Sequence, residues 1–255
     1  MNERPSLAPE PPGPLRHAFL RYGIRFFVGC YLRVRHEGFE RLPEPPYLLN
    51  FSHPSWVDPF LLASHWPRGH RVFIFGPREE EMRSGWKNRL IAWSRMAVPF
   101  KPSRSDLIDT TRRAQSVLTA GYVLAIAGEG RLSDREGAIV PLEQGPAYFA
   151  LRARVPVVPM AIIGTRWIRF GRYVTMRVGP AVEMGDRRAN REGVESVTAD
   201  VQAAIESLLE GVRDEPPPGP FGRWFSELFN ERPWLTDPDW KNAAWRPRAR
   251  EDEHR

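Results

Sequence analysis

Between about residues 45 and 180, short apolar runs alternate with stretches of helical periodicity. That alternation restricts the possible folds more than any other feature of the chain. The runs are Tyr47-Leu48-Leu49, Arg71-Val72-Phe73-Ile74-Phe75, Ala97 to Phe100, Tyr122 to Ala127 and Val155 to Ile163, and 172–178, though it carries Arg172 and Arg177, reads as one more strand. Each has the length of a strand, and an unbroken apolar run suits a strand covered on both faces. Helical patterns at 85–96, 105–120 and 143–154 separate them, and a last one spans 193–212. Trp86, Leu90 and Trp93 stripe the first; Asp106 stands near the start of the second and Gly121 at its end. Strands and helices in this order predict an α/β layered domain with a largely parallel central sheet flanked by helices. Functional groups in such folds gather beyond the carboxyl ends of the strands.

With 255 residues, 42% of them hydrophobic, the chain suits one large domain with appendages. Residues 1–14 are proline-rich and predict a disordered N-terminus. The domain is expected over 15–213, opening with an amphipathic helical segment at 15–36. There Leu15, Phe19, Tyr22, Phe26 and Phe27 recur at helical spacings among Arg16, Arg21, Arg25, Arg33 and Arg35. A break is expected near Gly23 or Gly29, and a short strand over 32–39. Such a basic helix with an aromatic face lies in a membrane interface or packs on a core. Residues 214–255 form a Pro/Trp-rich C-terminal tail. Trp224, Phe225, Leu228 and Phe229 read as a short amphipathic piece, followed by Trp234, Trp240 and Trp245. The tail either wraps the domain by tryptophan anchors or meets a membrane interface, and its last ten residues read as disordered.

The formal net charge is +6 and the isoelectric point about 9.9, carried mostly by arginine. This balance suits an anionic membrane surface or a nucleic acid. No helix-turn-helix or zinc pattern supports nucleic acid as the partner. Cys30 is the only cysteine, so an intramolecular disulfide and a cysteine-rich metal site are both excluded. No apolar run approaches the roughly 20 residues of a membrane span. The acidic, proline-rich start lacks the apolar core of a signal peptide. The expectation is a cytoplasmic protein, soluble or peripherally bound.

The chemistry points to YLLNFSHPSWVDPFLL, residues 47–62. A strand end leads into the polar elbow Asn50-Phe51-Ser52-His53, and Pro54 and Ser55 open a helical segment. On a regular helix, five steps of about 100° put His53 and Asp58 on different faces. They meet only if His53 sits in the turn before the helix, a placement Pro54 favours. An imidazole at a helix mouth, with a carboxylate one turn in, suits a general base held in one tautomer. The plainer alternative is a capping histidine beside a solvated aspartate.

A second cluster follows the run ending at Ala127. Gly128-Glu129-Gly130-Arg131-Leu132-Ser133 places two glycines around a glutamate, which lets the backbone turn tightly and approach a ligand. Arg131 adds a bidentate donor for phosphate. A surface loop accounts for the same residues. Downstream, Val155-Pro156-Val157-Val158-Pro159 reads as a kinked buried strand.

Together these blocks resemble the glycerolipid acyltransferases typified by 1-acylglycerol-3-phosphate acyltransferase. The family's His-x4-Asp signature, often within HPSWxDP, matches His53 through Pro59. Its FPEGTRS block is matched by Ala127 through Ser133, and its VPxxP block by Val155 through Pro159. Order and spacing agree over roughly 45–180. The resemblance implies that His53 deprotonates an acceptor hydroxyl, with Asp58 orienting it. That hydroxyl attacks the thioester of acyl-CoA or acyl-carrier protein, with no acyl-enzyme, no metal and no further cofactor. It also implies that Glu129, Gly130 and Arg131 serve the acceptor site, the arginine on its phosphate. A lysophospholipid acceptor and a peripheral place on the inner membrane face follow.

The departures are specific. Gly128 replaces the family's proline, and Arg131 comes one position early with Leu132 behind it. The second signature, a Gly-x-Ile-x-x-x-Arg phrase, is degraded in AVPFKPSRSD, where Lys101 or Arg104 is expected to supply the phosphate ligand. These changes leave open a different lyso-lipid acceptor, with an amino-acid or sugar head. A non-catalytic lipid-binding member of the fold is the remaining alternative.

Overall fold

A computed structural model describes residues 12–78, 86–100, 107–133, 135–216 and 218–230. Its centre is a seven-stranded sheet in the order β1-β7-β6-β2-β5-β3-β4. The strands are β1 (Leu32–Glu37), β2 (Leu48–Phe51), β3 (Val72–Arg78), β4 (Ala97–Phe100), β5 (Val123–Ala127), β6 (Val157–Ile163) and β7 (Arg172–Val178). Every pairing is parallel except β6 with β7. The expected α/β class with a largely parallel sheet is therefore the observed one.

The sheet is buried on both faces because its central strands β2, β5 and β6 are apolar at every position except Asn50. Side chains alternate along each strand. Leu48, Phe73, Leu124, Val157 and Ala161 fill one face, and Leu49, Val72, Ile74, Val123, Ala125, Val158, Met160 and Ile162 the other. The first face is covered by α5 (Leu107–Thr119), α6 (Gly145–Ala153) and α7 (Arg191–Leu208). They supply Ala114, Val117 and Leu118, then Ala147, Phe149 and Ala150, then Val194, Val197, Val201 and Ile205. Spacings of three and four make α5 and α7 one-sided apolar stripes.

The second face is covered by the N-terminal helical segment and by α3 (Asp58–His65). The N-terminal segment comprises α1 (Pro14–Ala18), a π-helical turn (Phe19–Gly23) and α2 (Ile24–Tyr31). The expected break at Gly23 is this π-turn; Gly29 lies within α2. The helical part ends at Tyr31 rather than at 36, because Leu32–Glu37 pairs in parallel with β7, whose hydrogen bonds replace the helical ones. Strand β3 continues past its expected stop at Gly76-Pro77 to Arg78, through a register shift after Phe75. A proline is tolerated at such an irregularity because no regular ladder donor is needed there. The α4 helix (Trp86–Ser94) leads into β4.

Beyond α7, the helix α8 (Gly219–Phe229) returns to the second face. The Phe225 ring meets Tyr31 at 5.8 Å, and the buried Ser226 hydroxyl oxygen accepts from the Ile168 N–H at 2.9 Å. The amphipathic piece expected at 224–229 is thus a helix docked on the domain, with Trp224 on its exposed side. Trp234, Trp240 and Trp245 lie outside the described residues, as do most of residues 1–14 and the last ten. No helix among the described residues is long and apolar enough to cross a membrane.

Candidate active site

Parallel register brings the two sequence clusters level. Phe51 of β2 lies opposite Ala127 of β5, so His53 and Glu129 each stand two residues past the same edge of the sheet. Backbone bonds then tie the two loops together. The Gly128 N–H donates to the Phe51 carbonyl at 3.3 Å, and the Ser133 N–H to the His53 carbonyl at 2.7 Å. On the other side of β2, the Ser52 hydroxyl oxygen accepts the Ile162 N–H at 3.0 Å, and the Ser52 N–H reaches the Met160 carbonyl at 3.1 Å. Strand β2 runs two residues further than expected, through Asn50 and Phe51, because β5 and β6 pair with it along that whole length.

His53 sits in the turn before α3, as the spacing argument requires. Its Nδ1 lies 2.8 Å from Asp58 Oδ2. The aspartate is not one turn into the helix: it is the first helical residue, and Pro54 to Val57 form a turn ahead of it. The reason is local. Asp58 Oδ2 also accepts the Ser55 N–H at 2.8 Å, and the Asp58 N–H reaches the Ser55 carbonyl at 3.1 Å. The carboxylate so closes the turn, and Pro59 continues in the first helical turn, where it needs no N–H partner. Asp58 has no solvent exposure and His53 keeps 17% of its side chain exposed. The capping alternative with a solvated aspartate therefore fails. The imidazole Nε2 has no hydrogen-bond partner among the described residues.

Glu129 is buried. Its Oε1 accepts from the Ser133 hydroxyl and, at 3.4 Å, from the His53 N–H; its Oε2 accepts from the Val140 N–H at 3.2 Å. Burial raises its carboxyl above the usual range, against the lowering effect of these donors. Glu129 thus binds the loop after β5 to the loop after β2. Gly130 beside it has φ of +64°, which a glycine adopts without strain. Gly128 also has a tight neighbour: a Cβ there would stand 2.1 Å from Asn50 Oδ1 and 2.9 Å from Leu142. Asn50 occupies the room that a proline at 128 would need, which accounts for that departure. Arg131 lies half-buried in the same loop. Lys101 and Arg104 lie outside the described residues. Among the described residues, no group of three or more His, Cys, Asp or Glu side chains is placed to hold a metal ion.

Three residues at or near the site escaped the sequence reading. Ser133 was visible in its block, but its bond to Glu129 was not. Glu136 is buried, with its carboxyl raised by burial, and accepts the N–H groups of Gly164 at 3.0 Å and Arg166 at 2.8 Å. Asn230, just after α8, places its Oδ1 3.1 Å from the Ser55 hydroxyl and 2.9 Å from the Trp56 nitrogen. Nothing in the local sequence signals that a residue in the tail reaches the His53 turn.

Residues 33–163 match the Acyltransferase family. This chain belongs to the acyltransferase family. The match covers both clusters, so the His53–Asp58 pair and the Glu129 loop lie within it. The chain is 25% identical over 186 residues to the 1-acyl-sn-glycerol-3-phosphate acyltransferase of Saccharomyces cerevisiae. That alignment takes in 72% of this chain and 58% of the yeast protein, so the chain spans little more than half of this relative. The fold is also that of the 1-acyl-sn-glycerophosphate (LPA) acyltransferase of Thermotoga maritima, with a TM-score of 0.57 and 19% identity. The superposition covers 78% of this acyltransferase and 81% of the other chain.

Proposed function

We propose that this acyltransferase moves a fatty acyl group from a thioester, acyl-CoA or acyl-carrier protein, to a hydroxyl of a lysophospholipid. The observation that carries the reading is the buried Asp58 carboxylate on His53 Nδ1, with Nε2 unpartnered among the described residues at the carboxyl edge of a parallel sheet. His53 Nε2 takes the proton of the acceptor hydroxyl as its oxygen attacks the thioester carbonyl. The tetrahedral intermediate collapses, the C–S bond breaks, and the thiolate recovers the proton from the imidazolium. Asp58 stabilises that imidazolium and holds the tautomer that leaves Nε2 basic. No residue is acylated, and no metal or cofactor beyond the thioester is needed.

Arg131, with Lys101 and Arg104, is assigned to the phosphate of the acceptor, as a guanidinium suits that group. Glu129 and Gly130 shape the loop that carries Arg131. The acceptor named for both relatives is the first candidate. The early arginine and Leu132 favour testing lyso-lipids with other heads beside it. The acyltransferase works on the inner face of a membrane, held by its N-terminal segment. Leu15, Phe19, Tyr22, Phe26 and Phe27 are exposed there among Arg16, Arg21 and Arg25, an apolar face with a basic rim.

The test is thiol release from palmitoyl-CoA with lysophosphatidic acid and a panel of lyso-lipids, for wild type and His53→Ala. Acceptor-dependent release, reduced by about 10²–10⁴-fold in the variant, is the expected result. Lack of release with every acceptor, from both CoA and carrier-protein donors, overturns the reading in favour of a lipid-binding member of the fold.

A further inference from the structure

The turn that presents His53 is closed by two oxygen atoms from different ends of the chain. Asp58 Oδ2 takes the Ser55 N–H, and Asn230 Oδ1 takes the Ser55 hydroxyl at 3.1 Å and the Trp56 N–H at 2.9 Å. Ser55 and Asn230 are both buried. The remaining donor of the turn, the Val57 N–H, reaches Ser55 Oγ at 3.4 Å. Asn230 is thus the fixed point against which Ser55 and Trp56 are set, and Ser55 in turn sets the oxygen that orients His53. Asn230 is itself held from two sides. Its N–H donates to the Glu227 carbonyl at 3.2 Å at the end of α8, and α8 is seated by Ser226 on Ile168 and by Phe225 on Tyr31.

We propose that Asn230 is a positioning residue for the His53–Asp58 pair, so that the segment after α7 forms part of the active-site architecture. Asn230 touches no reacting atom. It acts by holding Ser55 and Trp56, which hold Asp58 Oδ2 on His53 Nδ1. A misplacement of about 1 Å in a catalytic group lowers turnover by up to about 10²-fold. The inference rests on the acyltransferase reading of the site for its kinetic consequence, but not for its structural one.

The experiment uses the full chain with Asn230→Ala, Asn230→Asp, Asp58→Asn and the double variant Asn230→Ala/Asp58→Asn. Asn230→Ala is expected to lower kcat about 10- to 100-fold with the donor KM unchanged. Asn230→Asp keeps an acceptor oxygen in place and is expected to recover part of that loss. In the Asp58→Asn background, Asn230→Ala is expected to add less than about threefold, because residues acting as one unit are not additive. A wild-type kcat for Asn230→Ala, fully additive losses, or a loss that vanishes at temperatures where the variant is fully folded overturns the proposal. If the wild type turns over no substrate, the acyltransferase reading fails and the Nδ1–H proton resonance of His53, assigned with His53→Ala, decides instead. A resonance unchanged in Asn230→Ala overturns the positioning role; one lost or displaced supports it.

Discussion

Replacing Asp58 by asparagine isolates the charge of the carboxylate from its geometry, because of how its two oxygens are used. Oδ2 alone accepts both His53 Nδ1 and the Ser55 N–H, each at 2.8 Å, while Oδ1 is buried with no hydrogen-bond partner among the described residues. Asparagine can put its amide oxygen on the Oδ2 position and its NH2 on the Oδ1 position, keeping both bonds and losing only the negative charge. Two unit charges about 4 Å apart interact by about 4 kcal/mol at an effective dielectric constant of about 20. In the proposed mechanism that energy acts on the imidazolium, which forms there only once the acceptor proton has moved. The expected result is a fall in kcat of roughly 10³-fold, at about 1.4 kcal/mol per decade, with little change in KM. If the amide turns over instead, its NH2 donates to Nδ1 and the ring hydrogen moves to Nε2, where it blocks the base. Both outcomes cut turnover deeply. The assay is the initial rate of thiol release at saturating donor and acceptor, beside a thermal melt that reports the folded fraction. A folded Asp58→Asn protein retaining more than a tenth of the wild-type kcat would refute imidazolium stabilisation by this carboxylate.

Three further outcomes follow from the packing. His65 is buried beside His36, and burial together with the charges of His36 and Arg25 lowers its pKa to about 4. The unfolded chain takes up that proton near pH 6.5, so stability falls by about 3 kcal/mol as pH drops from about 6.5 to about 4. Denaturant midpoints of wild type minus His65→Gln should show that slope. Glu129 and Glu136, raised by burial, act with the opposite sign and cancel in this difference. Gly128→Ala drives a methyl group against Asn50 and Leu142, and a loss of about 1–3 kcal/mol is expected by denaturant unfolding; an unchanged midpoint contradicts the close approach. Phe26→Ser with Phe27→Ser removes two exposed rings, 68% and 66% accessible, so the melting temperature should hold. Partition onto anionic vesicles should drop by about tenfold or more, since a buried phenylalanine contributes about 1.5–3 kcal/mol, and equal vesicle binding would remove the N-terminal segment from the membrane contact.

The main strands of 45–180 and the helices α5 and α7 were legible in the residues because each carries its own period: unbroken apolar runs for the buried strands, three-and-four stripes for the helices. The relation of His53 to Asp58 was legible too, since helix geometry and Pro54 leave only the turn before α3. The position of Asp58 at the first helical residue was not, because it depends on Oδ2 accepting the Ser55 N–H, a bond that propensity does not announce. The levelling of His53 with Glu129 required the register of β2 on β5, which is set by pairing across 76 residues of sequence. That Gly128 replaces the family's proline was readable in the sequence; that Asn50 on the neighbouring strand fills the space a Cβ there would need was not. The reach of Asn230 to Ser55, across 175 residues, has no periodicity or spacing to betray it. Sequence by itself determined what each segment wants to be and which side chain can take a proton, because those are local properties of backbone and side-chain chemistry. Which carboxylate is buried, which loop meets which, and what holds the His53 turn depend on the folded packing, where burial and long-range hydrogen bonds act between segments far apart in the chain.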